Sequence, residues 1–168
     1  RYGKIIDFCY LVNPYFPPKQ FVEKLQDEFP ILLTQYPSGL KMQNMNAERI
    51  FDVNEDYLLV GNGAAELINA FGHLTKGKIA VNLPTFNEYV RCFKNAEIIK
   101  INNSTIDYKL SVELIKNAID IADTVAIINP ENPSGFMLDK VEILDILEYA
   151  KGKNVRIIVD ESFVDFAN

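Results

Sequence analysis

The chain has 168 residues, of which 48% are hydrophobic and 24% are charged, a balance that is typical of a folded domain and excludes a disordered polymer. The formal net charge is −6 and lysine and arginine form no run, which argues against nucleic acid or an anionic membrane as a partner. No apolar run could cross a bilayer and the start has no signal-peptide character, so we expect a cytoplasmic protein. Because the first residue is Arg1 and not Met, we expect the stretch to begin inside a longer protein.

Turn signals punctuate the first forty residues. They are Asn13-Pro14, Pro17-Pro18 and the run Tyr36-Pro37-Ser38-Gly39. One helix is predicted between them, over residues 19–29. We interpret residues 1–40 as an arm that packs on the main domain and residues 41–168 as that domain.

Strands and helices alternate along the rest of the chain. Strands are predicted at 58–60, 78–81, 97–101, 124–128 and 155–159, and helices at 64–74, 86–93, from 111 onward and from 139 to about 151. Ser111 and Asp139 are predicted N-caps, with Glu142 completing a capping box, and Leu110 and Ile115 form a hydrophobic staple. This order predicts an α/β fold with a mostly parallel sheet flanked by helices.

In such sheets, ligands bind at the carboxyl ends of the strands, and three loops there carry polar groups. The first is Gly61-Asn62-Gly63, before a helix that starts near Ala64. Glycines let the backbone approach a ligand and a helix start offers free N–H groups, so a phosphate would suit this loop. A plain turn is an equally supported alternative. The loop lacks the third glycine of a dinucleotide fingerprint and the Gly-Lys-Ser/Thr of a P-loop.

The second and third loops offer an amide and a carboxylate. Two prolines and a glycine stiffen residues 129–135, which would present the Asn132 amide to a ligand oxygen. The alternative is a stiff loop that binds nothing. Asp160 directly follows an apolar strand, where a carboxylate is costly unless it is paired, and a protonated ring nitrogen would satisfy it. The alternative for Asp160 is a cap on a following helix.

The ordered set of these motifs resembles the fold type I pyridoxal phosphate enzymes. The nearest groups are the histidinol-phosphate aminotransferases and the threonine-phosphate decarboxylases. The resemblance covers nearly the whole chain. It rests on Asp7-Phe8, Asn13-Pro14, Pro17-Pro18, Tyr36-Pro37, residues 61–68, Pro84-Thr85-Phe86, residues 129–135 and residues 160–163. It implies that residues 41–168 form the N-terminal part of the large cofactor-binding domain, without its C-terminal part and without the small domain.

The resemblance implies pyridoxal 5′-phosphate as the cofactor and assigns residues to it. Gly63, Ala64 and Ala65 would form the phosphate loop, with the backbone N–H groups of the two alanines on the phosphate. Phe86 would stack on the pyridine ring, since a flat apolar side chain suits that face. Asn132 would donate a hydrogen bond to the phenolic oxygen of the ring.

Asp160 is the implied catalytic residue, because a carboxylate facing the ring nitrogen keeps it protonated and lets the ring withdraw electrons from the substrate. Tyr36 would reach the phosphate in the other subunit of a homodimer, and Asn13 would lie near the substrate. Two positions depart from the family pattern. Phe163 stands where many relatives carry Tyr. Glu131 stands where Asn is common, a change that we expect to be neutral.

The function implied is a cytoplasmic aminotransferase of amino-acid biosynthesis, which exchanges an amino group between an amino acid, such as histidinol phosphate, and a keto acid. The alternatives are a decarboxylase of a phosphorylated amino acid such as threonine phosphate, a non-catalytic relative, and a nucleotide-binding α/β domain that shares turn motifs. The lysine that holds the cofactor covalently in the family is expected beyond Asn168, so the chain alone is predicted to be inactive. No metal, nucleic acid or membrane is expected as a partner.

Overall fold

The computed structural model describes residues 13–102 and 108–167, so the Asp7-Phe8 motif lies outside the described residues. The chain divides into two compact units between Val60 and Gly61. This division falls twenty residues after the boundary that the turn signals suggest, and the assignment of residues 1–40 to an arm stays a prediction. Within the described ranges, no helix is long and apolar enough to span a bilayer.

The first unit is helical. Its helices are α1 (Lys19–Thr34) and α2 (Leu40–Phe51), followed by a short 3₁₀ turn at Glu55–Tyr57. Helix α1 continues past its predicted end at residue 29 and contains Pro30, and α2 is absent from the sequence-based prediction. The predicted strand at 58–60 is wrong. The N–H of Val60 donates to the side-chain oxygen of Asn44 at 3.0 Å and is therefore not used in a strand ladder.

The second unit is an α/β sandwich around four strands. In chain order its elements are α3 (Ala64–Leu74), β1 (Gly77–Leu83), α4 (Asn87–Cys92), β2 (Ala96–Asn102), α5 (Val112–Ile119), β3 (Thr124–Ile128), α6 (Lys140–Ala150) and β4 (Arg156–Asp160). The strands lie in the order β2-β1-β3-β4, and all neighbouring pairs are parallel. The predicted α/β fold with a parallel sheet flanked by helices is confirmed.

Side chains on β1 and β3 alternate between two apolar clusters, one on each face of the sheet. Ile79 and Val81 pack with residues of α3 and α4, whereas Ala80 packs with residues of α5 and α6. All five residues of β3 are buried because the helices cover both faces. This explains why the sequence of β3 is a continuous apolar run with no polar alternation.

The predicted caps set the starts of α5 and α6. The Ser111 side chain accepts the Leu114 N–H at 3.2 Å. Asp139 and Glu142 exchange side-chain to backbone hydrogen bonds of 2.8 Å each, which is the predicted capping box. These caps satisfy N–H groups that have no partner inside the helix, and they fix where the chain turns after β2 and β3.

Candidate active site

The carboxyl ends of the strands meet at one edge of the sheet. The register pairs Leu83 with Asn102 and Ile128 with Asp160, so that β1 and β2 end together, as do β3 and β4. The segments that follow β1 and β3 carry Phe86 and Asn132, and Asp160 ends β4 itself. The fold therefore brings three of the predicted site residues to this edge.

A cleft of about 200 Å³ runs along α3, from Ala64 to Phe71, beside the end of β4. Its lining includes Ala64 from α3, Tyr89 from α4, and Asp160 and Ser162 from the end of β4. Ile158, two residues before Asp160 on β4, packs against the apolar cluster under α3 and α4. Because side chains alternate along a strand, Asp160 lies on that same face of the sheet. Ala64, of the predicted phosphate loop, and the predicted ring-facing acid therefore line one cleft.

The backbone at the start of α3 is partly open, since the Asn62 N–H just before it already donates to the Glu66 carboxylate. Gly63 has a φ of 88°, a conformation that suits glycine, and a Cβ built there would meet no atom within 4 Å. No side chain caps this helix. The N–H groups of Ala64 and Ala65 are the first of α3, at the end where the helix dipole favours a negative charge. An anion can approach them without displacing a side-chain cap.

Asp160 is held by two neighbours. Its Oδ2 atom accepts a hydrogen bond from the Tyr89 hydroxyl at 2.8 Å, and its Oδ1 atom accepts from the backbone N–H of Ser162 at 3.0 Å and from the Ser162 hydroxyl. Burial, followed by the charge of Asp160, raises the pKa of Tyr89. Tyr89 therefore keeps its proton and stays a donor. The short 3₁₀ turn that follows has Phe163 as its N-cap residue. Asp160 therefore does not cap that turn, and its side chain instead closes a local turn at Ser162.

The second loop is stiffened by side chains as well as by prolines. The Asn129 amide spans the loop and makes both of its hydrogen bonds to the backbone of Leu138, at 2.8 and 3.0 Å. Asn132 is half-buried, and its backbone N–H donates to the Glu131 carboxyl at 3.0 Å. Phe86 precedes the first turn of α4 and is 36% exposed, so its ring is accessible at the same edge.

Three residues of this region escaped the sequence analysis as site residues. Tyr89 lies three residues after Phe86, and residues at this spacing face the same side of a helical turn. This spacing could have identified Tyr89 as a neighbour of the predicted site. Asn82 and Glu131 form a buried pair joined by a hydrogen bond of 2.6 Å. Their sequence separation of 49 residues leaves no local signal of this contact.

Asn13 and Tyr36 belong to the first unit and are exposed. The Asn13 side-chain oxygen accepts the Tyr15 N–H at 2.9 Å. Their assignment to the substrate and to the partner subunit's phosphate stays a prediction.

A family model described as aminotransferase class I and II matches residues 4–168. The chain belongs to the class I and II aminotransferase family. The resemblance to this family is thereby confirmed, and the alternative of an unrelated nucleotide-binding domain has no support. Pyridoxal 5′-phosphate, the predicted cofactor, is the cofactor of the family.

Both decarboxylases and aminotransferases are among the relatives. The chain is 33% identical to an L-serine phosphate decarboxylase of Sulfurospirillum multivorans and 32% identical to one of Campylobacter jejuni, in each case over 96% of this chain and 44% of the relative. A solved decarboxylase from Sulfurospirillum multivorans superposes with a TM-score of 0.82 at 30% identity, over 97% of this chain and 44% of that one. The histidinol-phosphate aminotransferase from Clostridium acetobutylicum superposes with a TM-score of 0.80 at 28% identity, over 96% of this chain and 48% of that one. The chain therefore spans less than half the length of each of these relatives.

The chemistry of the described residues fits this cofactor. Uncapped N–H groups at a helix start suit a phosphate, and a carboxylate suits a protonated ring nitrogen. Both groups line one cleft, with the exposed ring of Phe86 at the same edge of the sheet. Among the described residues, no arginine or lysine lines this cleft, and the first N–H groups of α3 offer positive potential at its Ala64 end.

Proposed function

We propose that the complete protein containing this chain is a pyridoxal phosphate-dependent enzyme that breaks a bond at the α-carbon of a phosphorylated amino acid. The observation that carries the proposal is the cleft shared by Asp160 and the start of α3. When bound, pyridoxal phosphate supplies an electron sink for the charge that develops at the substrate α-carbon.

Each residue of the edge has a separate task in this proposal. The N–H groups of Ala64 and Ala65 bind the phosphate, and Phe86 covers one face of the ring. Asp160 holds a proton on the ring nitrogen, and Tyr89 orients the Asp160 carboxylate by its hydrogen bond. Asn132 donates to the phenolic oxygen, from a turn held by Asn129.

Decarboxylation is the first candidate reaction. The relatives quoted at 30% identity or more are described as decarboxylases, two of them of L-serine phosphate. The segment 160–163, with Phe163 in place of the common Tyr, also favours the decarboxylase group. Transamination is the second candidate, favoured by the similarity to histidinol-phosphate aminotransferase over 96% of this chain. A phosphate on the substrate is common to both candidates.

The two reactions differ in their products. The complete protein with pyridoxal phosphate would be mixed separately with phosphoserine, phosphothreonine and histidinol phosphate, each with and without 2-oxoglutarate. We expect carbon dioxide and a phosphorylated amine from one of the phosphoamino acids, without need of a keto acid. Glutamate formed only in the presence of 2-oxoglutarate would instead support transamination.

An Asp160→Asn variant serves as the mechanistic comparison. An amide cannot hold the proton on the ring nitrogen as a carboxylate does, so we expect either reaction to slow by at least about a hundredfold, the lower end of what one proton-managing group contributes. Release of neither product with any of the three substrates would contradict the proposed function.

The homodimer expected from the resemblance also belongs to the proposal, with Tyr36 contributing across the interface. Sedimentation of the complete protein would report its mass, and a Tyr36→Phe variant would report on the phosphate contact. We expect a dimer whose affinity for pyridoxal phosphate falls in the variant.

A further inference from the structure

Glu131 is an ionisable side chain buried at the cofactor edge of the sheet. Only 3% of the residue is exposed, although it lies in a loop between β3 and α6. Burying a carboxyl group is costly unless hydrogen bonds compensate for the lost water. The position therefore requires specific partners, and the structure supplies them.

The hydrogen bonds of the Glu131 side chain tie the loop after β3 to β1. Its Oε1 atom accepts the backbone N–H of Asn132 at 3.0 Å, and its Oε2 atom accepts the side-chain NH₂ of Asn82, at the end of β1, at 2.6 Å. Its own N–H donates to the Phe136 carbonyl at 2.8 Å, and its carbonyl accepts the Gly135 N–H at 2.8 Å. The turn is thus closed on itself by the backbone of Glu131 and tied to β1 by its side chain.

The surroundings of Glu131 disfavour a negative charge on its carboxyl group. Burial, to which the charge of Asp160 adds, raises the pKa of Glu131 against the opposing effects of Asn82, Thr85 and the Asn132 N–H. The charge of Glu131 in turn contributes to raising the pKa of Tyr89, on α4. Asn82 is 1% exposed and one of its amide atoms has no hydrogen-bond partner.

We propose that Glu131 is a positioning residue that ties the turn carrying Asn132 to β1 and so sets the direction in which the Asn132 side chain meets the phenolic oxygen of the cofactor. This inference rests on the proposed function. Glu131 acts through Asn132, and it does not itself touch the cofactor.

The test compares three variants of the complete protein. Glu131→Gln keeps the shape, and its NH₂ group can donate to the unpartnered Asn82 oxygen once that amide rotates, whereas Glu131→Ala removes both contacts. Glu97→Gln, on an exposed position of β2, is the matched control. The readouts are the dissociation constant of pyridoxal phosphate and the pH midpoint at which the visible absorbance of the bound cofactor changes. The midpoint responds to hydrogen bonding at the phenolic oxygen. A loss of stability alone would leave the midpoint unchanged.

We expect Glu131→Gln and Glu97→Gln to stay within about twofold of the wild type, and Glu131→Ala to bind pyridoxal phosphate about tenfold more weakly with a shifted midpoint, as the loss of one buried hydrogen-bonded partner predicts. If Glu131→Ala does not fold, Asn82→Ala, which breaks the other end of the bridge, should shift the midpoint in the same way. Wild-type midpoints in whichever of these two variants folds would overturn the inference and leave the proposed function intact. Failure of the wild type to bind pyridoxal phosphate would instead overturn the proposed function.

Discussion

A hydrogen bond from Tyr89 to Asp160 connects helix α4 to the end of β4 and fixes the acid on which the proposed chemistry depends. Tyr89 is 1% exposed and Asp160 is half-buried, so water cannot readily replace the hydroxyl. A buried hydrogen bond to a charged group contributes more to stability than an exposed one, because water cannot readily replace the lost partner when the bond is broken.

Replacing Tyr89 by Phe should therefore lower the free energy of unfolding by roughly 1–3 kcal/mol. Tyr149→Phe is a matched control, since the Tyr149 hydroxyl makes the same kind of bond to Asp120 at 2.9 Å on the protein surface. We expect that control to change stability by less than about 0.5 kcal/mol. Urea denaturation of the complete protein measures both, and equal losses in the two variants would contradict a special role for the buried bond.

The raised pKa of Glu131 predicts a pH dependence of stability. A carboxyl group that binds its proton more tightly in the folded state than in the unfolded state favours folding at low pH. That contribution is lost as the pH rises from the unfolded pKa to the raised folded pKa. Glu131→Gln cannot titrate, so its free energy of unfolding relative to the wild type should increase across this window.

Denaturant unfolding of the two proteins at a series of pH values checks this sign. Glu97→Gln, at an exposed site, should show a difference from the wild type that varies little with pH. A difference for Glu131→Gln that falls with rising pH would mean that Glu131 is stabilised as the carboxylate.

At the scale of elements, the cleft depends on how closely α3 and α4 approach each other. Gly72 in α3 is buried, and a Cβ added there would lie 2.5 Å from the Cys92 carbonyl oxygen of α4. The contact is with backbone, which cannot swing aside as a long side chain can. Glycine at this position therefore sets the separation of the two helices that form one wall of the site.

We expect Gly72→Ala to destabilise the protein by roughly 1–3 kcal/mol through overpacking, an effect only partly offset by the better helix propensity of alanine, about 1 kcal/mol. Asn69→Ala, at an exposed position of the same helix, gains propensity without a clash and should be neutral or stabilising. Thermal unfolding of both variants would measure the difference. A Gly72→Ala protein as stable as the wild type would mean that the helices can separate at little cost.

At the scale of the whole molecule, the 168-residue chain carries the edge that is proposed to bind the cofactor, whereas the lysine of the family is predicted beyond Asn168. The chain alone should then bind pyridoxal phosphate reversibly. Dialysis should remove the cofactor, and borohydride treatment should leave no labelled lysine, whereas the complete protein should retain the label. A single lysine of this chain that carries the reduced cofactor would contradict this prediction.

The sequence by itself determined the elements whose signals are local. The Ser111 and Asp139 caps and the apolar run of β3 are encoded by neighbouring residues, and the structure has them where they were predicted. The ordered motifs also identified the family, because their order along the chain is more specific than any one of them. The predicted strand at 58–60 failed, since three apolar residues do not specify a ladder partner.

Which side chains meet depends on the fold as a whole. Tyr89 and Asp160 are 71 residues apart and Asn82 and Glu131 are 49 apart, so their contacts arise from strand order and helix packing, which no local pattern encodes. The same holds for Glu131, whose substitution was expected to be neutral and whose burial became visible only in the fold. Burial depends on what the rest of the chain places around a residue, and for that physical reason it could not be read from the sequence.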